Sequence, residues 1–306
     1  MAKKGQGSIS GVRKDSHRIA LVTDSASDIT TDIAKELNIS IVPLYIHYDS
    51  KEFRDGIDIE SDEIYRLQME EKAVFSTSSP SPHDFLSTYE GLLRKYNSII
   101  SIHISANLSA VMKSALIARD LLKEGNRIEI FDSRSGTMGT GFMVLAAARA
   151  AQKGYPLEKI MEILLFLREN IRLYGTIETL RYLRRSGRVP AVASFVSRLL
   201  TIKPLLGINN GTVGMIGIAV TRFGSHREIV RRVLKNFSKE RWVMLSVIHT
   251  LRQQDSRKIL SSLQGQLNIV YSMVNKCTPA VGAHTGPGLI GIIITRLNRD
   301  IADLFI

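Results

Sequence analysis

The chain has 306 residues, of which 44% are hydrophobic and 23% are charged, with a formal net charge of +12. This length accommodates two domains of ordinary size or one large one, and the composition is typical of globular proteins. No run approaches the roughly 18 apolar residues of a membrane-spanning helix, and no apolar signal-peptide core follows the basic residues 1–17. We therefore predict a cytoplasmic protein in which residues 1–17 form a flexible basic arm.

Strands and helices alternate through the first half of the chain. The predicted strands are 18–25, 40–48, 98–104 and 127–133. The predicted helices are 30–38, 60–72, 82–96, 110–124 and 142–154. We expect Ser27 or Asp28 to cap helix 30–38, because short polar side chains accept hydrogen bonds from the first N–H groups of a helix. The repeated strand–loop–helix order predicts an N-terminal α/β domain over residues 18–170 with a mainly parallel sheet.

The second half of the chain mixes strands and helices with one hairpin. The predicted strands are 172–179, 241–250, 268–275 and the apolar end of 282–294. The predicted helices are 156–170, 181–188, 191–200, 226–237 and 253–264. Residues 202–222 are predicted to form a β-hairpin, because Asn210 and Gly211 suit the positive φ angles of a type I′ turn. His284 is expected in a glycine- and proline-rich loop, and residues 171–306 are predicted to form a C-terminal α/β domain.

The stretch 73–85 contains more hydroxyl groups than a simple connection needs. Ser81, Pro82 and Asp84 have the positions of an N-cap, an N1 proline and a capping-box acid. These helix-start signals do not explain residues 76–79, which lie between an apolar segment and the cap.

Hydroxyl-rich segments, this stretch included, fall at the carboxyl ends of the predicted strands. They are 24–28, 77–79, 105–110 and 132–141. In open parallel sheets, ligands bind beyond the carboxyl ends of the strands. Neutral hydroxyl groups suit a carboxylate, because each O–H can donate to an ionised oxygen. The same groups are common helix caps, so residue chemistry alone leaves both interpretations open.

Several common kinds of catalytic site have no signature in this sequence. There is no P-loop, no GxSxG elbow and no HExxH helix. The single cysteine, Cys277, cannot form an internal disulfide, and no cysteine–histidine cluster has zinc spacing. Because free cysteine usually packs as a small hydrophobic residue, we predict that Cys277 is buried. We expect no metal.

The excess of positive charge indicates an anionic partner. Basic clusters lie at 181–188 and 227–235. Nucleic acid, an anionic membrane surface and an acidic protein face all fit such charge. Clusters of this kind also occur on ordinary exposed helices.

Separated motifs from residue 18 to the C-terminus resemble those of one protein family in their order. They are VTDS at 22–25, Thr77-Ser78 with Pro80-Ser81, Leu108-Ser109, Asp132-Ser133 with Met138, Gly139 and Gly141, Tyr182-Leu183 with Gly187-Arg188, Ile202-Lys203-Pro204, and His284 with Gly286-Pro287-Gly288. Together they resemble the DegV family, bacterial fatty-acid-binding proteins that include the lipid-carrying subunit of fatty-acid kinase.

The sequence departs from the family pattern at four positions. Ala106, Ala110 and Val111 stand where the family usually has Ser, Gly and Thr, and Ser186 replaces a glycine. On the 105–111 loop, Ser109 therefore remains as the hydroxyl at an inner position.

The resemblance implies a two-domain α/β protein that buries one fatty acid between its domains. The family's carboxylate ligands correspond to Thr77 and Ser109, with His284 nearby and Ser78 as a lesser candidate. Arg188 would support the pocket or the approach of a kinase.

The resemblance also implies the partners. They are a long-chain fatty acid and the catalytic subunit of fatty-acid kinase, which makes the acyl phosphate; the protein alone would not be an enzyme. Its ligand would be the fatty acid, with no cofactor. We further expect Arg184 and Arg185 to lie on a face that docks an acidic partner. An anionic membrane surface is a further possible partner, and nucleic acid is not expected.

Two alternatives follow from the residues themselves. An enzyme of unknown type, acting at the cleft between the domains, would use Asp24, Asp132 and His284. A nucleic-acid-binding protein would account for the net charge of +12, and its affinity would fall steeply with salt.

Overall fold

The computed structural model describes residues 18–188 and 202–306. The predicted arm 1–17 and the predicted helix 191–200 lie outside the described residues. The strands are β1 Ile19–Asp24, β2 Ile39–Val42, β3 Tyr45–Tyr48, β4 Lys51–Arg54, β5 Ser76–Ser78, β6 Ser98–His103, β7 Ile128–Asp132, β8 Arg172–Thr176, β9 Lys203–Asn209, β10 Thr212–Ala219, β11 Val243–His249, β12 Ile269–Lys276 and β13 Ile290–Arg296. The helices are α1 Thr31–Glu36, α2 Ser61–Glu70, α3 Pro82–Leu93, α4 Val111–Leu121, α5 Met138–Gln152, α6 Leu157–Asn170, α7 Arg181–Ser186, α8 Arg222–Phe237, α9 Gln253–Gln264, α10 Pro279–Thr285 and α11 Arg299–Ala302. Within the described ranges, no helix combines the length and the apolar character that crossing a bilayer requires.

The first sheet has the strand order β2-β1-β6-β7, and all its neighbouring strands are parallel. β1 is buried along its whole length. Its residue Leu21 packs in the cluster that contains α5, whereas Val22 packs with α3 and α4 on the opposite face. Helices on both faces explain why the strand is buried throughout and apolar from Ile19 to Val22. The predicted parallel sheet of an α/β fold is confirmed.

The second sheet has six strands in the order β10-β9-β8-β13-β11-β12. Only β11 and β12 are parallel among its neighbouring pairs. β9 and β10 form the predicted hairpin, and the φ angles of Asn210 and Gly211 are 46° and 78°. Both are positive, as a type I′ turn requires, so this turn prediction is confirmed.

Helix α5 joins the two large sheets through one hydrophobic core. Leu21 of the first sheet, Phe142 of α5 and Ile293 of the second sheet belong to the same buried cluster. Most of α5 is buried, as expected of a helix with sheets on both sides. The division into domains 18–170 and 171–306 remains a prediction.

A third, antiparallel sheet has the order β4-β3-β5. The single strand predicted over 40–48 is wrong, because β2 ends before Pro43 and β3 belongs to this other sheet. Proline has no N–H to donate to a neighbouring strand, so it interrupts the ladder. β3 places Ile46 opposite Thr77 of β5, and this pairing fixes Thr77 at the sheet edge.

The helix starts were predicted with mixed success. Ser81 and Asp84 form the predicted capping box of α3. The cap predicted for α1 is wrong, because the side chain of Thr30 accepts the hydrogen bond from the first turn of α1 instead. Ser27 lies in a short 3-10 turn, and Asp28 has a left-handed backbone with φ 55°.

The predicted loop around His284 is also wrong. His284 lies on α10, which begins after Thr278 with Pro279 at its first position. Proline suits this position because the first N–H of a helix has no intrahelical partner. Gly282 inside the helix obscured it in the sequence, and a Cβ there would lie 2.4 Å from the Tyr65 ring.

Candidate functional site

An apolar cavity lies where the first sheet, β5, α10 and the second sheet meet. Its empty volume, which includes open solvent at the mouth, is about 970 Å³. The loops after β1, β6 and β7 contribute Ala26, Ile104, Leu108, Ser109, Gly136 and Thr137. The second sheet and its flanking residues contribute Leu173, Leu206, Ile208, Val213, Ile248 and Leu289. The cavity therefore lies at the carboxyl ends of the parallel strands, where ligands bind in such sheets.

Four of the candidate site residues line this cavity: Thr77, Ser109, Arg188 and His284. Thr77 Oγ1 and His284 Nε2 share a hydrogen bond of 2.7 Å. Ser109 Oγ shares one of 3.0 Å with the hydroxyl of Ser79, two residues from Thr77. The two bonded pairs are therefore neighbours. A few polar groups in an otherwise apolar wall suit a ligand with one polar end.

The side chains of β5 alternate between its two faces, and this separates Ser78 from the residues that line the cavity. Successive side chains of a strand point to opposite faces, and Ser78 Oγ bonds His47 Nε2 at 2.8 Å in an exposed position. Ser78 is not among the residues that line the cavity. Ser79 was not predicted as a site residue from the sequence, because it occupies the variable position of the family motif.

His284 is an uncharged group in this environment at neutral pH. Burial lowers the pKa of its imidazole to about 4, and the positive charge of Arg188 lowers it further in the same direction. A neutral imidazole carries one donor nitrogen and one acceptor nitrogen. The site therefore offers neutral hydrogen-bonding groups beside one guanidinium.

The arginines lie at and beyond the border of the cavity. Arg188 is half-buried and donates through its guanidinium to Ser186 O at 2.6 Å. Arg184 and Arg185 are exposed on α7 and do not line the cavity.

Asp24 lies buried at the end of β1. Its carboxylate accepts from the backbone N–H groups of Ala26 at 3.1 Å and Ile104 at 3.0 Å. It also bonds His103 Nδ1 at 3.0 Å. Ala26 and Ile104 line the cavity, whereas Asp24 does not. Asp24 therefore holds two lining loops in place and is not brought together with His284.

Asp132, the other acid of the enzyme alternative, and Cys277 also lie outside the cavity lining. Asp132 accepts from the N–H groups of Arg134 at 2.9 Å and Ala106 at 3.4 Å, so it links the loops after β7 and β6. Cys277 is fully buried, as predicted, and burial raises the pKa of its thiol well above the usual range. Among the described residues, no three side chains of His, Cys, Asp or Glu are grouped as metal ligands.

Comparison with known proteins places this arrangement in a family. The model of the DegV family, described as uncharacterised proteins, matches residues 18–297. A DegV domain-containing protein of Clostridium acetobutylicum is 35% identical over 290 residues, which cover 91% of this chain and 99% of that protein. A second, from Caldanaerobacter subterraneus, is 32% identical over 280 residues, 90% of this chain and 98% of that protein.

Two solved structures share the fold over nearly the whole chain. A DegV family protein of Thermus thermophilus, described by its fatty acid binding, has a TM-score of 0.86 and 29% identity, covering 92% of this chain and all of that one. DegV of Bacillus subtilis, described as a fatty acid binding protein, has a TM-score of 0.84 and 26% identity with the same coverages. With its motifs, its fold and its sequence all matching, the chain belongs to the DegV family.

Proposed function

We propose that this protein binds one long-chain fatty acid, with its carboxylate against Thr77, Ser109 and His284 and its tail in the apolar cavity. The observation that carries the proposal is the hydrogen-bonded Thr77–His284 pair in an apolar wall. The Thermus and Bacillus proteins support it, because both are described as binding fatty acid and share this fold.

The two ends of such a ligand contribute differently to binding. Burying about 14 methylene groups at ~0.8 kcal/mol each contributes on the order of 11 kcal/mol before ordering costs. One hydrogen bond to a charged group contributes about 1.5–3 kcal/mol. The tail therefore supplies most of the affinity, and the polar groups decide which end faces the mouth.

The charges around the cavity favour an anionic head group. Arg188 is the cation whose field acts on His284, and a carboxylate beside it would be attracted by that field. The carboxylate would also raise the pKa of His284, because a nearby anion favours the charged imidazolium. Thr77 and Ser109 add neutral donors, whose bonds to a carboxylate are stronger than bonds between neutral groups.

We further propose that the protein presents this carboxylate to a separate kinase subunit, which forms the acyl phosphate. We assign the protein itself no catalytic step and no cofactor. Arg184 and Arg185 are exposed on α7, and they suit an acidic face of that kinase. An anionic membrane surface remains a second proposed partner, and the cytoplasmic location stays a prediction.

Native mass spectrometry of the purified protein tests the binding proposal directly. We expect a mass increment that matches a fatty acid and disappears after delipidation. Adding back a fatty acid should restore the increment and raise the thermal stability, since a ligand that binds only the folded state stabilises it. A delipidated protein that takes up no fatty acid, in any chain length tried, would refute the proposal.

A further inference from the structure

Helix α10 comes late in the chain, but residues of the first half hold it. Asp28 Oδ1 accepts a hydrogen bond of 2.9 Å from the backbone N–H of Thr278, the residue that precedes the helix. Asp55 Oδ1 accepts one of 2.9 Å from the N–H of Ala280 in its first turn. These two carboxyl groups therefore occupy the start of the helix that carries His284 at its other end.

Helix α2 contacts both α10 and the segment just before it through neutral groups. The hydroxyls of Ser61 and Tyr65 donate to Cys277 O at 2.8 and 3.2 Å. The Gln68 side-chain amide donates to Gly282 O at 3.3 Å. α10 is thus bound along its length, and its two ends contact different parts of the first half of the chain.

The two carboxyl groups at the start of α10 are buried without a cation among the described residues. Asp28 is 2% exposed and Asp55 is 3% exposed, and in the described part of the chain neither forms an ion pair. Burying a carboxyl group without a cation is costly. Serine or asparagine caps a helix equally well at a lower cost of burial.

The short length of α10 connects its start to the cavity. Seven residues rising 1.5 Å each span roughly 10 Å, so a tilt or slide at Ala280 also moves His284. The Thr77–His284 bond of 2.7 Å tolerates a displacement of only a few tenths of an ångström before it weakens.

We infer that Asp28 and Asp55 are positioning residues that set His284 against Thr77 by fixing the start of α10. The effect of these two acids on ligand affinity rests on the proposed fatty-acid binding. Their effect on the position of His284 does not. Neither acid lines the cavity, so both act through the helix.

The test compares alanine and asparagine at each position. Asp55→Ala and Asp28→Ala remove the acceptor, whereas Asp55→Asn and Asp28→Asn keep a side-chain oxygen that accepts the same N–H. In the ligand-free protein, we expect both alanine variants to move the NMR titration of His284 from a pKa of about 4 towards that of free histidine. Partial exposure of the ring causes this shift, because burial is the main cause of the lowered pKa. The asparagine variants should keep the wild-type value.

Fatty-acid titration provides the second readout. We expect Kd to rise about tenfold in the alanine variants, which corresponds to about 1.4 kcal/mol, and to stay within about twofold in the asparagine variants. Asn298→Ala is the matched control, because it removes a side-chain cap of α11, whose bond from Ile301 N is 3.0 Å, far along the chain from α10.

The outcomes separate the two proposals. If wild-type protein binds no fatty acid but His284 still shifts in the alanine variants, the positioning role stands and the proposed function fails. If wild type binds, and the folded alanine variants keep both the His284 titration and the affinity, Asp28 and Asp55 are ordinary caps. Should Asp28→Ala fail to fold, the pair Asp55→Ala and Asp55→Asn decides in the same way.

Discussion

Thr77 can reach a ligand because it is the middle residue of a three-residue strand whose neighbours face the other way. Its hydroxyl can accept from His284 and donate elsewhere at the same time. If His284 carries its proton on Nε2, it donates to Thr77 and leaves the O–H free for a carboxylate. Ser109 can act in the same way, because its bond to Ser79 uses only part of its hydrogen-bonding capacity. The proposed head-group site is therefore a set of donors already held by their own partners.

The first prediction separates the head of the ligand from its tail. Thr77→Val with Ser109→Ala should cost about 3–6 kcal/mol of binding free energy for a fatty acid, if the two losses add. A fatty alcohol of equal length should lose less affinity, because it has no charge for these hydroxyls to stabilise. Parallel titrations of acid and alcohol against wild type and variant measure the difference.

Ser78→Ala is the control for this experiment. It removes a hydroxyl from the same strand, but one that bonds His47 outside the cavity. We expect its fatty-acid affinity to match wild type. Equal affinities for wild type and the double variant would mean that the carboxylate binds elsewhere.

At the scale of elements, the parallel sheet was predictable from the repeated strand–loop–helix order of the sequence. β1 and β6 are mostly buried strands and β7 is partly buried. A helix follows each of them, and such alternation has one common architecture. The hairpin at Asn210 and Gly211 was predictable for a local reason, since only certain residues adopt two consecutive positive φ angles. The rim of hydroxyl-rich loops followed from the parallel topology.

Other elements depend on distant partners and were not predictable. β4 and β5 have no apolar alternation, and they are strands only because β3 pairs with both. α10 has seven residues and an internal glycine, so its own pattern is weak, and contacts with α2 stabilise it. Residue chemistry left Thr77 undecided between a cap and a ligand group, and the family resemblance favoured the ligand.

The second prediction concerns the packing of α10 on α2. Gly282→Ala should destabilise the protein by about 1–3 kcal/mol, because its Cβ would lie 2.4 Å from the buried Tyr65 ring and overpacking has this cost. Fatty-acid affinity should fall as well, since His284 lies two residues further along the helix. Urea unfolding and ligand titration measure the two effects.

Gly91→Ala is the matched control for this substitution. Gly91 also lies within a helix, α3, and its added Cβ would meet nothing within 4 Å. Alanine there should stabilise the protein slightly, because it has the higher helix propensity. A Gly282→Ala protein as stable as the Gly91→Ala protein would contradict the close packing.

At the scale of the whole molecule, the third prediction concerns the basic face on α7. Arg184→Glu with Arg185→Glu should slow acyl-phosphate formation by the partner kinase, most clearly at low salt, where exposed charges are least screened. Fatty-acid binding should be unchanged, because neither residue lines the cavity. Arg257→Glu with Lys258→Glu reverses another exposed neighbouring pair, on α9, and serves as the control. Equal kinase rates for the two double variants at low salt would remove α7 from the docking face.

The stability of the whole molecule also depends on buried groups whose pKa values are shifted in opposite directions. Burial, chiefly, raises the pKa of Asp28 to about 7 and that of Asp55 to about 6. Their contribution to the free energy of unfolding is therefore complete below about pH 4 and is lost as the pH rises through 6 and 7. Burial lowers the pKa of His249 and His284 to about 4, so their contribution is present above about pH 6.5 and is lost as the pH falls towards 4.

The last prediction isolates the acids from the histidines. Asp28→Asn keeps the side-chain oxygen but cannot ionise, so between pH 5 and 8 it should gain stability relative to wild type by about 1–3 kcal/mol, given 1.36 kcal/mol for each unit of pKa shift. The histidine contribution is common to both proteins and cancels in the difference. Asp58→Asn is the control, because Arg54 lowers the pKa of that exposed carboxyl to about 2 and it stays ionised throughout this range. Urea unfolding at pH 5, 6.5 and 8 measures all three proteins. A wild-type minus Asp28→Asn difference that stays constant across these pH values would show that Asp28 is already ionised in the folded protein at pH 5.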